Sequence, residues 1–294
     1  MTRFEGLNSP DRARRRKAAL ALAGTTDPAA QAELVRLLAD PEPSVVEAAI
    51  SALAASRDVR TARAAAAALR DDRAAVRAAA ADVLRRLGDL ALEELIALAA
   101  QPDPSLRRLA CELLPGCSRH RVLPVLTGLL DDPCPNVRMA AAEGCRGLGA
   151  REAVPHLVAR LRVEEDEWVR FALLEVLRDL GDEDAVLDVL LVPCTGELSR
   201  RAYVDLVAAL GGVRTVRGAL AGISRAGQVR LQLLEALAVL ASRLPAEESG
   251  VVSEEEVKPL FDLLAAGGEE ACLAGRTLLW WMGEAGGARL EAGA

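Results

Sequence analysis

Six arginines punctuate the chain at nearly constant intervals: Arg77, Arg107, Arg138, Arg170, Arg200 and Arg230, with gaps of 30, 31, 32, 30 and 30 residues. Each opens a segment rich in Ala and Leu that usually closes at or near Leu-Gly, as in the stretch from Val137 to Gly149. A period of this length limits the fold severely. Each unit is too short to bury an apolar face alone and must stack on its neighbours, which is the condition for a solenoid.

Composition narrows the choice to helices. About half of the 294 residues are apolar, yet aromatics make up only 2%. Ala and Leu must then supply the packing, which suits helices in close approach and leaves little for a β-sandwich core. No linker rich in Gly, Pro or Ser interrupts the pattern, so a single array over residues 1–294 is expected.

One unit shows the grammar. Asp132-Pro133-Cys134-Pro135-Asn136 is a turn, with Asn136 placed to cap the helix that follows. A first helix from about Val137 to Leu148 carries Val137, Ala140, Ala141, Cys145 and Leu148 on one stripe. Gly149 ends it, and a second helix begins near Glu152 with Pro155 in its first turn. The same opening recurs at 40–45, 71–77, 102–107 and 165–170. Acidic residues stand just before the arginines: Asp72, Asp103, Asp132, Asp166 and Glu197. Their placement predicts ion pairs or cap contacts that fix register from unit to unit.

These units resemble the HEAT repeat family, and in particular its short bacterial form, the HEAT-like repeats of the phycobilisome lyase type. The resemblance implies an all-α chain, an α-solenoid of about eight antiparallel helix pairs used as a protein-interaction scaffold. Residues 10–39 read as a degenerate N-terminal repeat, 40–243 as regular repeats and 244–294 as an irregular C-terminal cap. Within the cap, Glu247, Glu248, Glu254, Glu255 and Glu256 form an acidic insertion, followed by a helix over 257–264 and a final helix over 269–282.

Charge and motifs exclude several classes. The net charge is −7, from 36 basic and 43 acidic residues, which does not favour a nucleic-acid partner. Metalloenzymes of this fold use several His-Glu pairs, and the chain has only His120 and His156 and no such dipeptide. The cysteines at 111, 117, 134, 145, 194 and 272 show no CxxC spacing, so no metal is expected. HEAT-like glycosylases need a basic, aromatic-lined groove, which the seven scattered aromatics do not supply. Residues 1–17 are polar, without the apolar core of a leader, and no run approaches a membrane span. A reduced, cytoplasmic chain without cofactor or catalytic residues is the resulting expectation.

What remains is a protein-binding surface. Arg14, Arg15 and Arg16 lie in a basic N-terminal run that either meets an acidic partner or forms a solvated face. Glu94, His156 and Asp188 fall at equivalent outward positions of second helices, together with Val125, and Arg160 lies one turn beyond His156. Trp280 and Trp281 are either a docking patch or the seal of the last repeat. Partner proteins on the helical surface are the first reading. A lyase-like or chaperone-like subunit acting on a cofactor-carrying client is the alternative that the resemblance permits.

Overall fold

A computed structural model describes residues 5–194 and 196–283. Among them there is no strand, and helices follow one another throughout. The contacts divide the chain into two compact units, Met1–Leu129 and Leu130–Ala294. The arginine period passes through this division in the sequence without a change of spacing.

The first unit contains α1 (Arg12–Ala21), α2 (Pro28–Arg36), α3 (Pro43–Ala55), α4 (Val59–Ala68), α5 (Ala74–Leu87), α6 (Leu92–Ala99), α7 (Pro104–Leu113) and α8 (Arg119–Leu129). Odd-numbered helices pack on the next odd-numbered helix, α1 on α3, α3 on α5 and α5 on α7. The even-numbered series does the same from α2 to α8. This two-layered stacking of helical hairpins is the α-solenoid arrangement that the period predicts.

The second unit contains α9 (Pro135–Gly147), α10 (Val154–Val163), α11 (Glu167–Leu180), α12 (Glu183–Val189), α13 (Glu197–Leu210), α14 (Val213–Ile223), α15 (Arg230–Ala241), α16 (Glu254–Ala266) and α17 (Glu269–Met282). Its first helices α9, α11, α13, α15 and α17 stack in order, as do α10, α12, α14 and α16. Eight helix pairs and one closing helix are thus present among the described residues.

Local chemistry explains the helix starts. Asp11, Asp27, Asp58, Asp103 and Asp166 each accept a hydrogen bond from the amide two residues on, which satisfies a helix-start N–H that would otherwise lack a partner. Prolines occupy the first turn of α2, α3, α7, α9 and α10, where a missing N–H costs nothing. Gly149 has φ +59°, as a left-handed helix end requires. Asn136 does not cap α9. The helix begins at Pro135, and the turn is closed instead by the Asp132 carboxylate accepting from the Cys134 amide at 2.8 Å.

The interior is leucine and alanine. Leu34, Leu53, Leu84, Ala80, Leu173 and Leu177 are fully buried, while Ala140 and Leu148 of the expected stripe are only half-buried. Each buried Leu contributes about 1.5–3 kcal/mol, well above the roughly 0–1 kcal/mol of an exposed ion pair. Burial therefore carries stability, and charged pairs are left to specify register. The acidic segment near the end differs from expectation. Residues Ala246–Val251 form a short 3-10 turn, and α16 starts at Glu254 because Ser253 and Glu256 make a reciprocal capping box. The expected cap runs on to residue 294, and its last part, 284–294, lies outside the described residues.

Candidate functional site

The period arginines sit near the start of the first helix of each repeat, and in Arg77, Arg107 and Arg138 the guanidinium group folds back over the preceding turn. Arg77 Nη1 donates to the carbonyls of Asp71 and Asp72 at 2.9 and 2.8 Å. Arg107 does the same with Gln101 and Pro102 at 2.9 and 2.7 Å, and Arg138 with Asp132 and Pro133 at 2.9 and 3.2 Å. Each arginine thus takes the carbonyls six and five residues before it. The acids preceding the arginines serve other ends: Asp103 and Asp166 cap helices, and Asp72 offers its carbonyl.

The carboxylate partner comes from the following repeat. Arg138 forks onto Glu164, with Nη2 at 2.7 Å from Oε1 and Nε at 2.8 Å from Oε2. Arg160 Nε adds a third bond at 3.0 Å, and the amides of Glu165 and Asp166 donate to Oε1 at 3.0 Å. Glu164 is wholly buried. Burial opposes its charge, yet the bonds from Arg138, the Asp166 amide and Arg160 outweigh that and lower its carboxyl to about 2.

Arg15 belongs to the same series. It donates to the carbonyls of Ser9 and Pro10 at 2.9 and 3.1 Å and forks onto Asp40 at 2.8 and 2.9 Å. Its side chain is only 13% exposed, so this residue is a register contact and not part of a free basic face. The sequence carried the signal: Arg15 lies 62 residues, two periods, before Arg77. Later arginines change partner. Arg170 donates to the Pro193 carbonyl, and Arg200 and Arg230 approach Glu235 and Glu270 at 3.4 and 3.6 Å.

A second device joins neighbouring repeats. Carboxylates of one repeat cap helix starts of the next. Asp89 accepts from the Ser118 amide and hydroxyl at the start of α8. Glu167 accepts from the Ser199 amide and hydroxyl at 2.9 Å, and Glu183 from the amides of Gly212 and Thr215 at 2.9 and 3.0 Å.

The other expected contact residues divide by exposure. Arg14 and Arg16 are exposed, and Arg14 approaches Asp11 only at 3.9 Å. His156 is exposed on α10. Glu94 is engaged by Arg63 at 3.2 Å and Asp188 by Arg162 at 3.2 Å. Arg160 is committed to Glu164, so it is not available as a surface contact. Trp281 is buried, stacked edge-on against Phe261 at 6.1 Å, with its indole N–H donating to the Val252 carbonyl at 2.8 Å. It is core, and the docking-patch reading fails for it because no surface remains. Trp280 is half-buried and donates to the Pro245 carbonyl at 3.3 Å.

Among the described residues Trp168 is the exposed aromatic, 63% open on the first turn of α11. Leu198 holds the corresponding position on α13, 30 residues later, and is 39% open. Both stand two residues before a period arginine, where other repeats carry Ala75, Ser105 and Asn136. Alignment of the repeats displays that contrast, whereas Trp168 taken alone is one of several scattered aromatics.

Among the described residues, no group of three or more His, Cys, Asp and Glu is placed to hold a metal ion. Burial raises the thiols of Cys145 and Cys194 to about 11, and burial together with Asp89 does the same for Cys117, which keeps them protonated and unreactive at neutral pH. No helix among the described residues is long and apolar enough to cross a membrane.

The HEAT-repeat pattern matches residues 2–85 and 92–190, more than half of the chain. The chain belongs to the HEAT-repeat family. No curated protein matches it by sequence. Among solved structures, Kap121p is 13% identical with a TM-score of 0.50, covering 92% of this chain and 35% of its own. A Kap121p mutant gives 0.52 at the same identity and coverage. An engineered protein is 19% identical, covering 95% of this chain and 87% of its own, with a TM-score of 0.39. The HEAT chain thus spans about a third of the length of the Kap121p structures. At these identities the likeness concerns the fold alone.

Proposed function

We propose that this HEAT-repeat chain is a non-catalytic scaffold that holds partner proteins on its helical surface. The observation that carries the reading is the exposed pair Trp168 and Leu198 on the stacked helices α11 and α13. Large apolar side chains left open at matching places on adjacent repeats cost solvation, and tryptophan is the residue type that most often anchors an interface. The buried ionisable groups support the same reading. They are consumed by register contacts, with carboxylates paired to arginine and thiols held protonated, and so are not poised for acid–base or nucleophilic work. Six free cysteines support a reducing, cytoplasmic setting.

Affinity capture from the native cell, with wild type beside Trp168→Ala/Leu198→Ala, tests the proposal. A stoichiometric partner is expected with wild type, and its recovery should fall at least about tenfold in the variant, the loss of one anchoring contact. Equal recovery with both would remove this surface from consideration. A purified chain that turns over a small molecule, with no partner recovered, would end the scaffold reading.

A further inference from the structure

The arginine series has one gap. Counting back from Arg77 by one period reaches Val46, and one further period reaches Arg15. The surroundings that hold the guanidinium in the first repeat are all present in the second. The carbonyls of Asp40 and Pro41 stand six and five residues before Val46, as those of Ser9 and Pro10 stand before Arg15. Asp71 stands 25 residues after Val46, as Asp40 stands after Arg15. Like Asp40, Asp71 orients its own carboxylate by accepting the amide two residues on at 2.9 Å.

Asp40, Pro41 and Asp71, with Arg73 and Val76, line one open cavity of about 440 Å³, so these groups face a common space. Among the described residues no hydrogen bond falls on the Asp40 or Pro41 carbonyl. Asp71 is held meanwhile by Arg73, which forks onto it at 2.9 Å from only two residues away and remains 63% exposed. An exposed local pair of this kind is readily exchanged.

We propose that the second repeat carries a vacant guanidinium socket, and that an arginine side chain of a partner protein enters it, donating to the Asp40 and Pro41 carbonyls and taking Asp71 from Arg73. The proposal rests on the scaffold reading above and names the chemistry by which one partner contact is made. The socket selects arginine over lysine. Two carbonyls and a carboxylate must be reached at once by donors in a planar fork, which an ammonium cannot supply. Val46 fits the assignment by register, because it stands where Arg15, Arg77 and Arg138 stand in their repeats and has no guanidinium to reach the Asp40 and Pro41 carbonyls.

The test is a titration of the full chain with N-acetyl-arginine amide and, separately, N-acetyl-lysine amide, followed by backbone NMR. Arginine should give saturable shifts at Glu42, Val46 and Arg73 with a dissociation constant on the order of millimolar, and lysine should give none. Val46→Arg fills the socket in cis and should abolish the response while raising the melting temperature. Asp71→Asn should abolish it independently. Arg73→Ala removes the competitor and should tighten binding at least about threefold. Equal shifts with both amides, an unaltered response in Val46→Arg, or weaker binding in Arg73→Ala would overturn the proposal. In parallel capture experiments, a partner lost with Val46→Arg supports it. A partner retained by Val46→Arg overturns the socket and leaves the scaffold standing. A clean arginine response with no protein captured by either form sinks the scaffold reading instead.

Discussion

Gly196 illustrates how a single position is decided by a neighbouring repeat. Its φ of −87° is open to any residue, so no backbone strain demands glycine. A Cβ built there would meet the Glu167 carboxylate at 1.9 Å, the same carboxylate that caps Ser199. Gly196→Ala should therefore cost about 1–3 kcal/mol, as the displaced carboxylate leaves the Ser199 amide and hydroxyl without their partner. In a Glu167→Ala background the same change should be nearly neutral. A double-mutant cycle by urea denaturation reads the coupling directly. Additive effects would show that the two residues do not constrain each other.

Glu164 gives a residue-scale test by pH. Its carboxyl titrates at about 2 in the folded chain, below the ordinary 4.5. A depressed folded value means that folding favours the charged form. The contribution is complete above about pH 4.5 and is lost as the pH falls toward 2. Glu164→Gln should accordingly flatten the acid limb of the stability profile between these values, measured as the urea midpoint against wild type. Arg138→Ala should be the harsher change at neutral pH, at about 3 kcal/mol. It strips one partner from a buried pair, and Arg160 limits the damage.

At the scale of elements, helix starts depend on two kinds of cap. Those of α7 and α11 use an aspartate immediately before the helix, and the sequence displays them openly. Those of α8, α13 and α14 use a carboxylate from the previous repeat, about 30 residues upstream. Nothing local marks these. Glu183→Ala should cost about 1–3 kcal/mol and should speed amide exchange selectively at Gly212 and Thr215. Uniform acceleration along α14 would show that the carboxylate acts on the whole helix and not on its first turn. The difference explains what could be read beforehand. The helices from Pro135 to Val163 follow from Pro, Gly and the apolar spacing, which are local signals. The role of Glu164 follows from a partner 26 residues away and surfaces only when the chain is folded. For the same reason proximity groups Arg15 with Arg14 and Arg16, although its periodic position joins it to Arg77. The same holds for Trp281, whose burial depends on Phe261 and Val252, both distant in sequence.

Across the whole molecule, chemistry is distributed by burial more than by residue type. Of the six cysteines only Cys272 is exposed; Cys111, Cys145 and Cys194 are buried, and Cys117 and Cys134 are half-buried. A thiol reagent at neutral pH should label one site quickly, two slowly and three only on unfolding, with peptide mapping assigning the fast site to Cys272. Rapid labelling of Cys145 would mean that α9 opens far more often than its burial allows.

The borrowed caps share a direction. Asp89 precedes Ser118, Glu167 precedes Ser199 and Glu183 precedes Gly212, so the acceptor always lies nearer the amino end than the helix it serves. A chain leaves the ribosome amino end first. Every helix that relies on such a cap therefore meets its acceptor already synthesised, and for these helix starts translation never has to wait for residues still to come.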